Sequence, residues 1–436
     1  MRFVLAALGT RGDSDPLIAL SMQLQCRGHE VVFITHEDHE SQARAFGINF
    51  HKVDGNLKAS SEGLKNLNLW TGKAALKKWH ETFFVPFYRR MLDAIWEQVQ
   101  RADALILGGP GLISAQRAGQ IRNIPTFIAC SFPALSPTRY FPHLMGPQLK
   151  LGPLFNRLSY SLNRLYPADW YRVIAAWHRE TLGVGPPARY ENYLKADGRR
   201  LPVLYCYSEV LFPSPPDWDD TVCVSGYWLL PEDPTWKPPP ALLDFLHGGS
   251  PPICISFSSM IGLHPEKTTA VVNAAIRRLP YRVLVCGGWG GLCDANLPGN
   301  AFFIQSAPFQ WLFRYVGRVV HHGGAGITGT AIRAGKPAVI CPVAFDHPFW
   351  ARVAHKKGVA PPSRMHHQLT ADWLVHAIRL VSSTPSMARS AMELGQRLQQ
   401  EDSFGKAIQF IDRQVEVWRK QRPASQVRRS PVEQRT

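Results

Sequence analysis

Residues 317–360 read GRVVHHGGAGITGTAIRAGKPAVICPVAFDHPFWARVAHKKGVA and carry the strongest fold signal in the chain. A short apolar strand ends at Val320, and the turn after it, residues 321–326, holds two histidines and three glycines. The segment 327–334 has apolar and small residues at helical spacing, and Gly335 marks its end, as glycine commonly does. Small residues before a helix leave backbone N–H groups free at the positive end of the helix dipole. The segment therefore predicts an anion site, with phosphate as the expected ligand.

A second apolar strand, residues 338–342, leads into a polar loop that contains Asp346 and His347. Open parallel α/β sheets bind ligands at the carboxyl ends of their strands, so we expect this loop to lie beside the anion site. A carboxylate and an imidazole next to a phosphate suit the hydroxyl groups of a sugar that is attached to that phosphate. The combined pattern predicts a sugar-phosphate site.

These motifs resemble the donor-binding signature of the inverting nucleotide-sugar glycosyltransferases, a large family that includes bacterial antibiotic and glycolipid enzymes, sterol glucosyltransferases and plant enzymes of secondary metabolism. The bacterial pattern is close to HHGGAGTT, a helix ending in RAGVP and a loop reading DQPFWA, and this chain has HHGGAGIT, RAGKP and DHPFWA. The resemblance implies that Asp346 and His347 bind the donor sugar. It also implies a donor diphosphate site formed by His322, Gly324, Ala325, Gly326, Ile327, Thr328 and Ser258.

Three positions depart from the family pattern. Ile327 replaces a threonine, which leaves Thr328 to supply a hydroxyl contact with the phosphate. Ser258 stands where the family has the glycine of SFGSM, so its hydroxyl can join the ligand site. His347 replaces a glutamine, and imidazole differs from an amide in reach and polarity. The expected sugar is therefore not simply glucose, and galactose, a deoxysugar and an N-acetylated sugar stay open.

Residues 307–313, APFQWLF, resemble the family segment VPHDWLF, whose backbone lies against the nucleotide base. The resemblance implies that Ala307, Pro308 and Phe309 hold a uracil or thymine ring. Gln310 replaces the usual acidic residue, so the identity of the base stays open.

The N-terminus opens with a βαβ pattern, in which residues 3–8 are an apolar strand, residues 9–16 (GTRGDSDP) a turn and residues 17–27 a helix. The string GTRGDSDPLIALSMQLQCRGHEV resembles the opening of the sterol and antibiotic glycosyltransferases, in which the aspartate of GTRGD faces the acceptor hydroxyl. This implies that Asp13 is the catalytic base, which takes the acceptor proton as the new bond to the sugar forms. The alternative is that Asp13 or Asp15 only caps the helix.

The resemblance implies an α/β protein with the GT-B fold, in which two Rossmann-like domains with parallel sheets face a central cleft. We assign residues 1–211 to the acceptor-binding domain and residues 241–420 to the donor-binding domain with its C-terminal helices. The last of these helices, residues 403–420, can cross back to the first domain. The proline-rich residues 212–240 are interpreted as the linker. Residues 421–436 are interpreted as a basic flexible tail.

Composition restricts the partners and the compartment. The chain has 436 residues with 45% hydrophobic content, enough for two cores, and 49 Lys and Arg against 33 Asp and Glu. This balance favours anionic partners such as nucleotide diphosphates or an anionic membrane surface. The eight cysteines contain no C-x-x-C pair, and no apolar run reaches 18 residues. We therefore expect a cytoplasmic protein. Whether it also contacts the inner face of the membrane stays open. The aromatic and basic segment 77–99 is interpreted as core or acceptor-pocket wall rather than as a membrane surface.

The expected activity is transfer of a hexose from a nucleotide diphosphate sugar to a hydroxyl of a hydrophobic acceptor, such as a lipid, a sterol-like compound, a polyketide or a peptide natural product. The resemblance implies single displacement with inversion, without a metal or a further cofactor. A catalytically inactive nucleotide-sugar-binding protein is the alternative, because Ser258, Ile327 and His347 all depart from the pattern. A nicotinamide dehydrogenase is disfavoured because GTRGDS lacks G-x-G-x-x-G. Nucleic acid is not an expected partner, because no binding module is recognisable.

Overall fold

The computed structural model describes residues 1–62, 77–233, 235–257, 264–288 and 291–421. Within these residues, strands and helices alternate along most of the chain. The strands are β1 (Arg2–Ala7), β2 (Glu30–His36), β3 (Asn49–Val53), β4 (Ala104–Gly108), β5 (Thr126–Cys130), β6 (Lys195–Ala196), β7 (Arg199–Arg200), β8 (Val203–Tyr205), β9 (Val222–Val224), β10 (Ile253–Ser256), β11 (Val283–Cys286), β12 (Ala301–Ile304), β13 (Arg318–His321) and β14 (Ala338–Ile340). The α-helices are α1 (Arg11–Cys26), α2 (Glu40–Ala45), α3 (Leu57–Glu62), α4 (Val85–Val99), α5 (Gln116–Ile121), α6 (Pro153–Ser159), α7 (Ala168–Glu180), α8 (Pro240–His247), α9 (Pro265–Ile276), α10 (Phe309–Leu312), α11 (Ala325–Arg333), α12 (His347–Lys356), α13 (Ala371–Ser383), α14 (Pro385–Gln399) and α15 (Ser403–Lys420).

Two parallel sheets organise these elements. The first has seven strands in the order β3-β2-β1-β4-β5-β8-β9, and the second has five strands in the order β12-β11-β10-β13-β14. Strands β6 and β7 pair separately as a short antiparallel ladder. Each strand order reverses beside the first strand of its sheet, β1 or β10, and such a reversal opens a crevice at the carboxyl edge where ligands bind. The expected pair of Rossmann-like sheets is confirmed.

Strand β1 shows why the first sheet is buried on both faces. Its apolar residues alternate between two hydrophobic cores, with Val4 and Ala6 in one core and Phe3 and Leu5 in the other. All four side chains are almost fully buried. A parallel sheet that is covered by helices on both faces requires such a continuous apolar run. Polar chemistry is thus confined to the ends of the strand.

The last helix, α15, crosses back to the first domain. Its residues Phe410 and Ile411 pack in the same core as Leu5 of β1. The Gln414 side chain donates a hydrogen bond of 2.7 Å from Nε2 to the Asp220 carbonyl oxygen. The C-terminal helices therefore pack on both domains. The last helix crosses back to the first domain, as the sequence analysis allowed.

Two boundaries differ from the predicted ones. Helix α1 begins at Arg11 rather than at residue 17, because Pro16 removes only the hydrogen bond to the carbonyl of Gly12, which lies at the exposed start of the helix. The segment 212–240, interpreted as linker, contains β9, which pairs with β8 and adds a seventh strand to the first sheet. The short apolar run of β9 between prolines is long enough to pair at a sheet edge.

The aromatic segment 77–99 belongs to the core of the first domain. It contains a π-helical turn, His80–Phe84, and α4, in which Phe87, Tyr88 and Met91 are buried. For α4 the interpretation as core is confirmed, and Phe83 and Phe84 before it are partly buried against the same core. Within the described ranges, no helix is long and apolar enough to cross a membrane.

Candidate active site

The first half of the candidate site is the turn between β1 and α1. Gly9 has a φ of +135°, and a Cβ at this position would lie 2.2 Å from Asp13 Oδ2, so the turn requires glycine. The Thr10 N–H donates a hydrogen bond of 3.0 Å to Asp13 Oδ2. Asp13 thus takes part in capping α1, as the alternative interpretation of this residue held. That bond uses one carboxylate oxygen, and the other, Oδ1, lies toward Gly109 after β4.

The surroundings of Asp13 make it a stronger base than an ordinary aspartate. Burial raises the pKa of Asp13 to about 6, while the Thr10 N–H and the charge of His36 act against this rise. A carboxylate with a pKa near 6 is still ionised at neutral pH, yet it accepts a proton more readily than one with the usual value of 3.8. Capping and proton transfer are therefore compatible roles for this side chain.

Two residues that sequence reasoning missed support the same turn. His36 Nε2 lies 2.6 Å from the Gly9 carbonyl oxygen, and His36 Nδ1 lies 3.0 Å from Asp38 Oδ2. His36 is fully buried at the end of β2, the strand that pairs with β1. The available signal was positional, since polar residues at the carboxyl end of a strand beside β1 reach the same sheet edge. The pair holds Gly9 in place and thereby positions Asp13.

The second half of the site is the turn between β13 and α11. His321 Nδ1 accepts a hydrogen bond of 3.0 Å from the Gly323 N–H, which folds the turn back on the strand. Gly323 has a φ of +91°, and a Cβ there would lie 2.8 Å from Ile340 Cγ2 of β14. Helix α11 begins at Ala325 with Gly324 as its N-cap, two residues earlier than predicted. The free N–H groups of the helix start therefore follow directly after the histidines.

Two neutral imidazoles lie at this turn. The rings of His322 and His347 are 4.7 Å apart and nearly perpendicular. Burial lowers the pKa of His347 to about 4 and that of His322 well below its usual 6.5, so both are neutral at physiological pH. His322 Nδ1 is buried and has no partner in the described part of the chain, whereas His347 Nδ1 faces the N–H groups of Val343 and Ala344 at 3.4 Å. A neutral imidazole keeps one N–H donor, which suits a phosphate oxygen or a sugar hydroxyl.

Asp346 connects the two halves electrostatically. The residue is 8% exposed, and burial raises the pKa of Asp346 to about 7. The charge of Asp13 contributes to this rise, and the Ala325 N–H at the start of α11 acts against it. Like charges disfavour each other's ionisation in this way only over a short distance. Asp346 therefore lies beside the start of α11 and close enough to Asp13 for the charge of Asp13 to act on its pKa.

Packing of α12 against the first domain holds this arrangement. The helix starts immediately after Asp346. The ring of Trp350 contacts that of Tyr207 with centroids 5.4 Å apart, and the ring of Phe349 contacts that of Phe212 at 4.9 Å. Because these aromatic pairs join the two domains, they fix the position of Asp346 relative to β1 and its turn.

Phe345, the residue before Asp346, is strained and exposed. It has a φ of +54° and is 65% accessible, although it carries a large apolar side chain. The left-handed conformation costs a residue with a Cβ about 1–2 kcal/mol. Strain of this kind concentrates at ligand sites, where the surrounding structure enforces it. The sequence carried no signal for this feature.

The other predicted diphosphate residues differ in what they offer a ligand. A Cβ on Gly326 would meet open space, so this side of α11 is accessible. The Ile327 side chain packs in a hydrophobic core. The Thr328 hydroxyl is buried without a partner in the described structure, and the Thr328 N–H donates to the Gly324 carbonyl. Ile327 thus presents only its N–H at the helix start. Ser258 lies outside the described residues.

The segment predicted to hold the nucleotide base lies between β12 and α10. Ala307 is buried, and Pro308 is the N-cap of α10. The ring of Phe309 is stacked on that of Phe313 with centroids 5.1 Å apart, which occupies one face of the Phe309 ring. The assignment of these three residues to a base stays a prediction.

Known proteins resemble this chain along almost its whole length. The profile of the glycosyltransferase family 28 N-terminal domain matches residues 3–119, and that of the erythromycin biosynthesis protein CIII-like C-terminal domain matches residues 292–403. The O-mycaminosyltylonolide 6-deoxyallosyltransferase of Streptomyces fradiae is 31% identical over 428 residues, covering 96% of this chain and 98% of that protein. The chain belongs to the nucleotide-sugar glycosyltransferase family. The chain is also 29% identical over 433 residues to the sterol 3-beta-glucosyltransferase of Neosartorya fischeri, of which it spans 30% of the length.

Solved structures show that the chain has the GT-B fold. The glycotransferase of kitacinnamycin superposes with a TM-score of 0.67 at 17% identity, covering 95% of this chain and 99% of that chain. The glycosyltransferase VinC, solved in complex with dTDP, superposes with a TM-score of 0.65 at 19% identity, covering 96% and 100%. The predicted fold class is confirmed by these superpositions.

Proposed function

We propose that this glycosyltransferase moves a hexose from a nucleotide diphosphate sugar to a hydroxyl of a hydrophobic acceptor, with inversion at the anomeric carbon and without a metal. The observation that carries the proposal is the packing of α12, which begins just after Asp346, against Tyr207 and Phe212, and the charge of Asp13 acts on the pKa of Asp346 across this packing. Asp13 lies in the turn after β1 in the first domain, where it can act as a base. Asp346 lies in the second domain, in the loop that resembles a sugar site. A sugar held at Asp346 would thus have its anomeric carbon within reach of an acceptor at Asp13.

In the proposed reaction, Asp13 takes the proton of the acceptor hydroxyl while the acceptor oxygen forms a bond with the anomeric carbon. The bond from that carbon to the β-phosphate oxygen breaks, and its electron pair leaves with the diphosphate. The N–H of neutral His322 and the free N–H groups at the start of α11 stabilise the growing charge. Because these protein groups stabilise the negative charge of the leaving diphosphate, the proposed reaction needs no metal ion.

The proposed donor is a sugar other than UDP-glucose. His347 stands where the family pattern has glutamine, and its imidazole is neutral and buried beside His322. The Streptomyces fradiae relative is named as a 6-deoxyallosyltransferase, which supports a deoxysugar, and VinC was solved with dTDP, which supports a thymidine nucleotide. The names of the relatives support a sterol-like or macrolide-like acceptor. We place the protein in the cytoplasm, with peripheral membrane contact.

The test combines donor binding with turnover. Thermal-shift measurements against UDP-, dTDP- and GDP-sugars identify the donor, because a ligand that binds only the native state raises the melting temperature. Asp13→Asn is then expected to keep the donor-induced shift and to lose transfer by about 100- to 10,000-fold, the usual contribution of a general base. Radiolabelled sugar transfer to sterol and macrolide acceptors measures the loss.

Asp15→Asn is the matched control, because Asp15 lies in the same helix turn region and burial raises its pKa to about 6 as well. It is expected to retain turnover within about threefold, because Asp15 interacts with Arg11 and Gln42 and the change to asparagine is conservative. Unchanged turnover in Asp13→Asn would move the base to another residue. Donor binding by the wild-type protein with no transfer to any acceptor would favour the inactive sugar-nucleotide-binding protein instead.

A further inference from the structure

The first domain carries a concentrated apolar surface outside the candidate site. Among the described residues, twelve large hydrophobic side chains are exposed, and seven of them lie between residues 140 and 165. Leu154 of α6 is 71% exposed and Leu158 is 61% exposed. The seven are Tyr140, Met145, Leu149, Leu151, Leu154, Leu158 and Leu165. Contiguous apolar exposure of this kind marks an interaction surface. We call residues 139–165 the docking surface.

The docking surface carries positive charge only. The sequence contains no Asp or Glu from residue 104 to residue 168. Four exposed cations, Arg139, Lys150, Arg157 and Arg164, lie among the apolar side chains. Within the described part of the chain no carboxylate forms an ion pair with their side chains, and the exposed Asp217 accepts a hydrogen bond of 2.8 Å from the Arg139 backbone N–H. Unpaired cations interleaved with apolar side chains are the arrangement that attracts an interface of anionic lipids.

A cavity adjoins the exposed leucines. Its volume is about 870 Å³, and Leu154 and Leu158 form part of its wall. Five cations line it, namely Arg139, Arg157, Arg164, Lys195 and Arg200. Among the side chains of these five residues, within the described structure only that of Arg200 forms an ion pair, with Nη1 3.6 Å from Asp219 Oδ2. The cavity is therefore suited to a phosphate-bearing headgroup whose acyl chains extend across the leucines.

Internal hydrogen bonds hold the docking surface as a fixed part of the domain. His143 Nε2 lies 3.0 Å from Asn163 Oδ1, and Asn163 Nδ2 donates to the Ala134 carbonyl at 2.9 Å. Asn156 Nδ2 donates to the Arg139 carbonyl at 2.8 Å. These bonds join the two ends of the surface, so its apolar side chains are exposed from an ordered support and not from a frayed loop.

The docking surface also continues from the active-site edge of the sheet. Residue 139 follows β5 after the loop 131–138, and Asn163 of the docking surface is bonded to the Ala134 carbonyl in that loop. The surface is therefore an extension of the acceptor half of the molecule.

We propose that residues 139–165 dock the protein on an anionic lipid bilayer, with the leucines entering the interface and the arginines meeting lipid phosphates. A second copy of this chain is the less suitable occupant, because a two-fold contact would place the same positive surface against itself. The step from docking to catalysis rests on the proposed function, because it means that the acceptor reaches Asp13 from the membrane.

Vesicle co-sedimentation tests the proposal with the full chain. The probes are vesicles of phosphatidylcholine alone and vesicles that also contain phosphatidylglycerol. The wild-type protein is expected to bind the second kind, and added salt is expected to weaken this binding by screening the charges. The double variant Leu154→Glu with Leu158→Glu and the double variant Arg157→Gln with Arg164→Gln are each expected to bind at least about tenfold more weakly.

The matched control is Met392→Glu with Arg389→Gln, which removes an exposed methionine and an exposed arginine from α14 in the second domain. Its vesicle binding is expected to stay within about twofold of wild type, as for a charge change remote from the membrane. All variants retain the basic residues 422–436, so the tail contributes equally. All variants are also expected to keep the donor-induced thermal shift, which shows that they are folded.

Equal wild-type binding to both kinds of vesicle, or undiminished binding of the leucine variant, would overturn the proposal. So would a dimer in sedimentation velocity that the leucine variant dissolves, combined with no vesicle binding, since the occupant would then be a second copy. A failure of the proposed function would appear as unchanged turnover in Asp13→Asn and would leave vesicle binding intact. The two ideas can therefore fail separately.

Discussion

The two turns that meet at the site, residues 9–13 after β1 and residues 321–326 after β13, share a backbone arrangement and differ in chemistry. Each follows a buried parallel strand, requires a glycine with positive φ, and ends in the first turn of a helix. The first turn carries the carboxylate of Asp13, whereas the second carries the neutral imidazole of His322 and free N–H groups.

This difference shows that the sheet edge determines where the two turns lie, whereas their side chains determine what each turn can bind or react with. A helix start beside a parallel strand favours negative charge in both domains. In the first domain the protein places its own carboxylate there, through the bond from the Thr10 N–H to Asp13. In the second domain the helix start carries no acidic side chain in its first turn, which leaves the position open to the anion of a ligand.

The largest effect that would sharpen the comparison is expected from His322→Ala. Removing one preorganised donor to a leaving group typically lowers kcat by about 100-fold or more. We expect the loss in kcat, with a smaller change in the KM for the donor, because the charge on the diphosphate grows in the transition state. Steady-state kinetics with the donor identified by thermal shift measure this split.

His322→Gln is the companion variant, since glutamine retains an N–H donor at this position. It is expected to recover part of the lost kcat. If His322→Ala instead turns over like wild type, the turn after β13 is not where the leaving group is held, and the contrast between the two turns would break.

A pair of glycines in α11 separates the ligand-facing side of the helix from its packed side. A Cβ on Gly326 meets open space, whereas a Cβ on Gly329 would lie 2.5 Å from the Tyr227 ring. Gly326→Ala is expected to raise the KM for the donor by roughly tenfold with no loss of stability, since alanine favours helix over glycine by about 1 kcal/mol. Gly329→Ala is expected to destabilise the fold by about 1–3 kcal/mol through overpacking.

Chemical denaturation and donor titration measure the two outcomes, and each glycine variant is the control for the other. A Gly326→Ala protein with unchanged donor affinity would show that the donor does not approach the start of α11 from this side.

The smallest expected effect concerns stability and pH. The pKa of Asp346 in the folded protein is about 7, above its usual 3.8, so the folded state binds this proton more tightly than the unfolded state. Its contribution to stability is therefore fully present below the usual value and is lost as pH rises through about 7. Asp346→Asn removes this loss. The variant is expected to gain a few °C in Tm relative to wild type between about pH 5 and about pH 8.

Differential scanning calorimetry of both proteins at the two pH values measures the gain, and Asp372→Asn, which changes an exposed aspartate of α13, is the control. A Tm difference that does not change with pH would show that Asp346 is not destabilised by its surroundings. Donor binding by Asp346→Asn is expected to weaken even where its Tm rises. The substitution removes a carboxylate that lowers the stability of the fold but that binds the donor sugar.

Local patterns were sufficient to predict most elements. The last helix was predicted and observed at residues 403–420, and the strands predicted at residues 3–8 and 338–342 were observed at Arg2–Ala7 and Ala338–Ile340. Apolar periodicity within one element determines these features. The pairing of β9 was missed because it depends on contact with β8, and the early start of α1 was missed because a proline near the start of a helix removes only one hydrogen bond.

The support of Asp13 by His36 and Asp38 was missed for a related reason. His36 ends β2 and Asp38 follows it. The βαβ pattern places β2 beside β1, but nothing in the sequence shows which polar side chain at that edge contacts Gly9. The exposed surface at residues 139–165 likewise could not be recognised, since apolar residues in a loop read as core until the packing is known.

The amino-acid sequence by itself determined the two parallel-sheet units, the glycine turns at their edges and the presence of Asp13, His322 and Asp346 in family motifs, because these depend on short-range pattern and spacing. Only the tertiary structure decided that burial, together with the charge of Asp13, raises the pKa of Asp346, that burial lowers the pKa of His322, and that the docking surface is open to solvent. Burial and electrostatic coupling arise from atoms that segments far apart in the chain bring together, and no local pattern encodes that proximity.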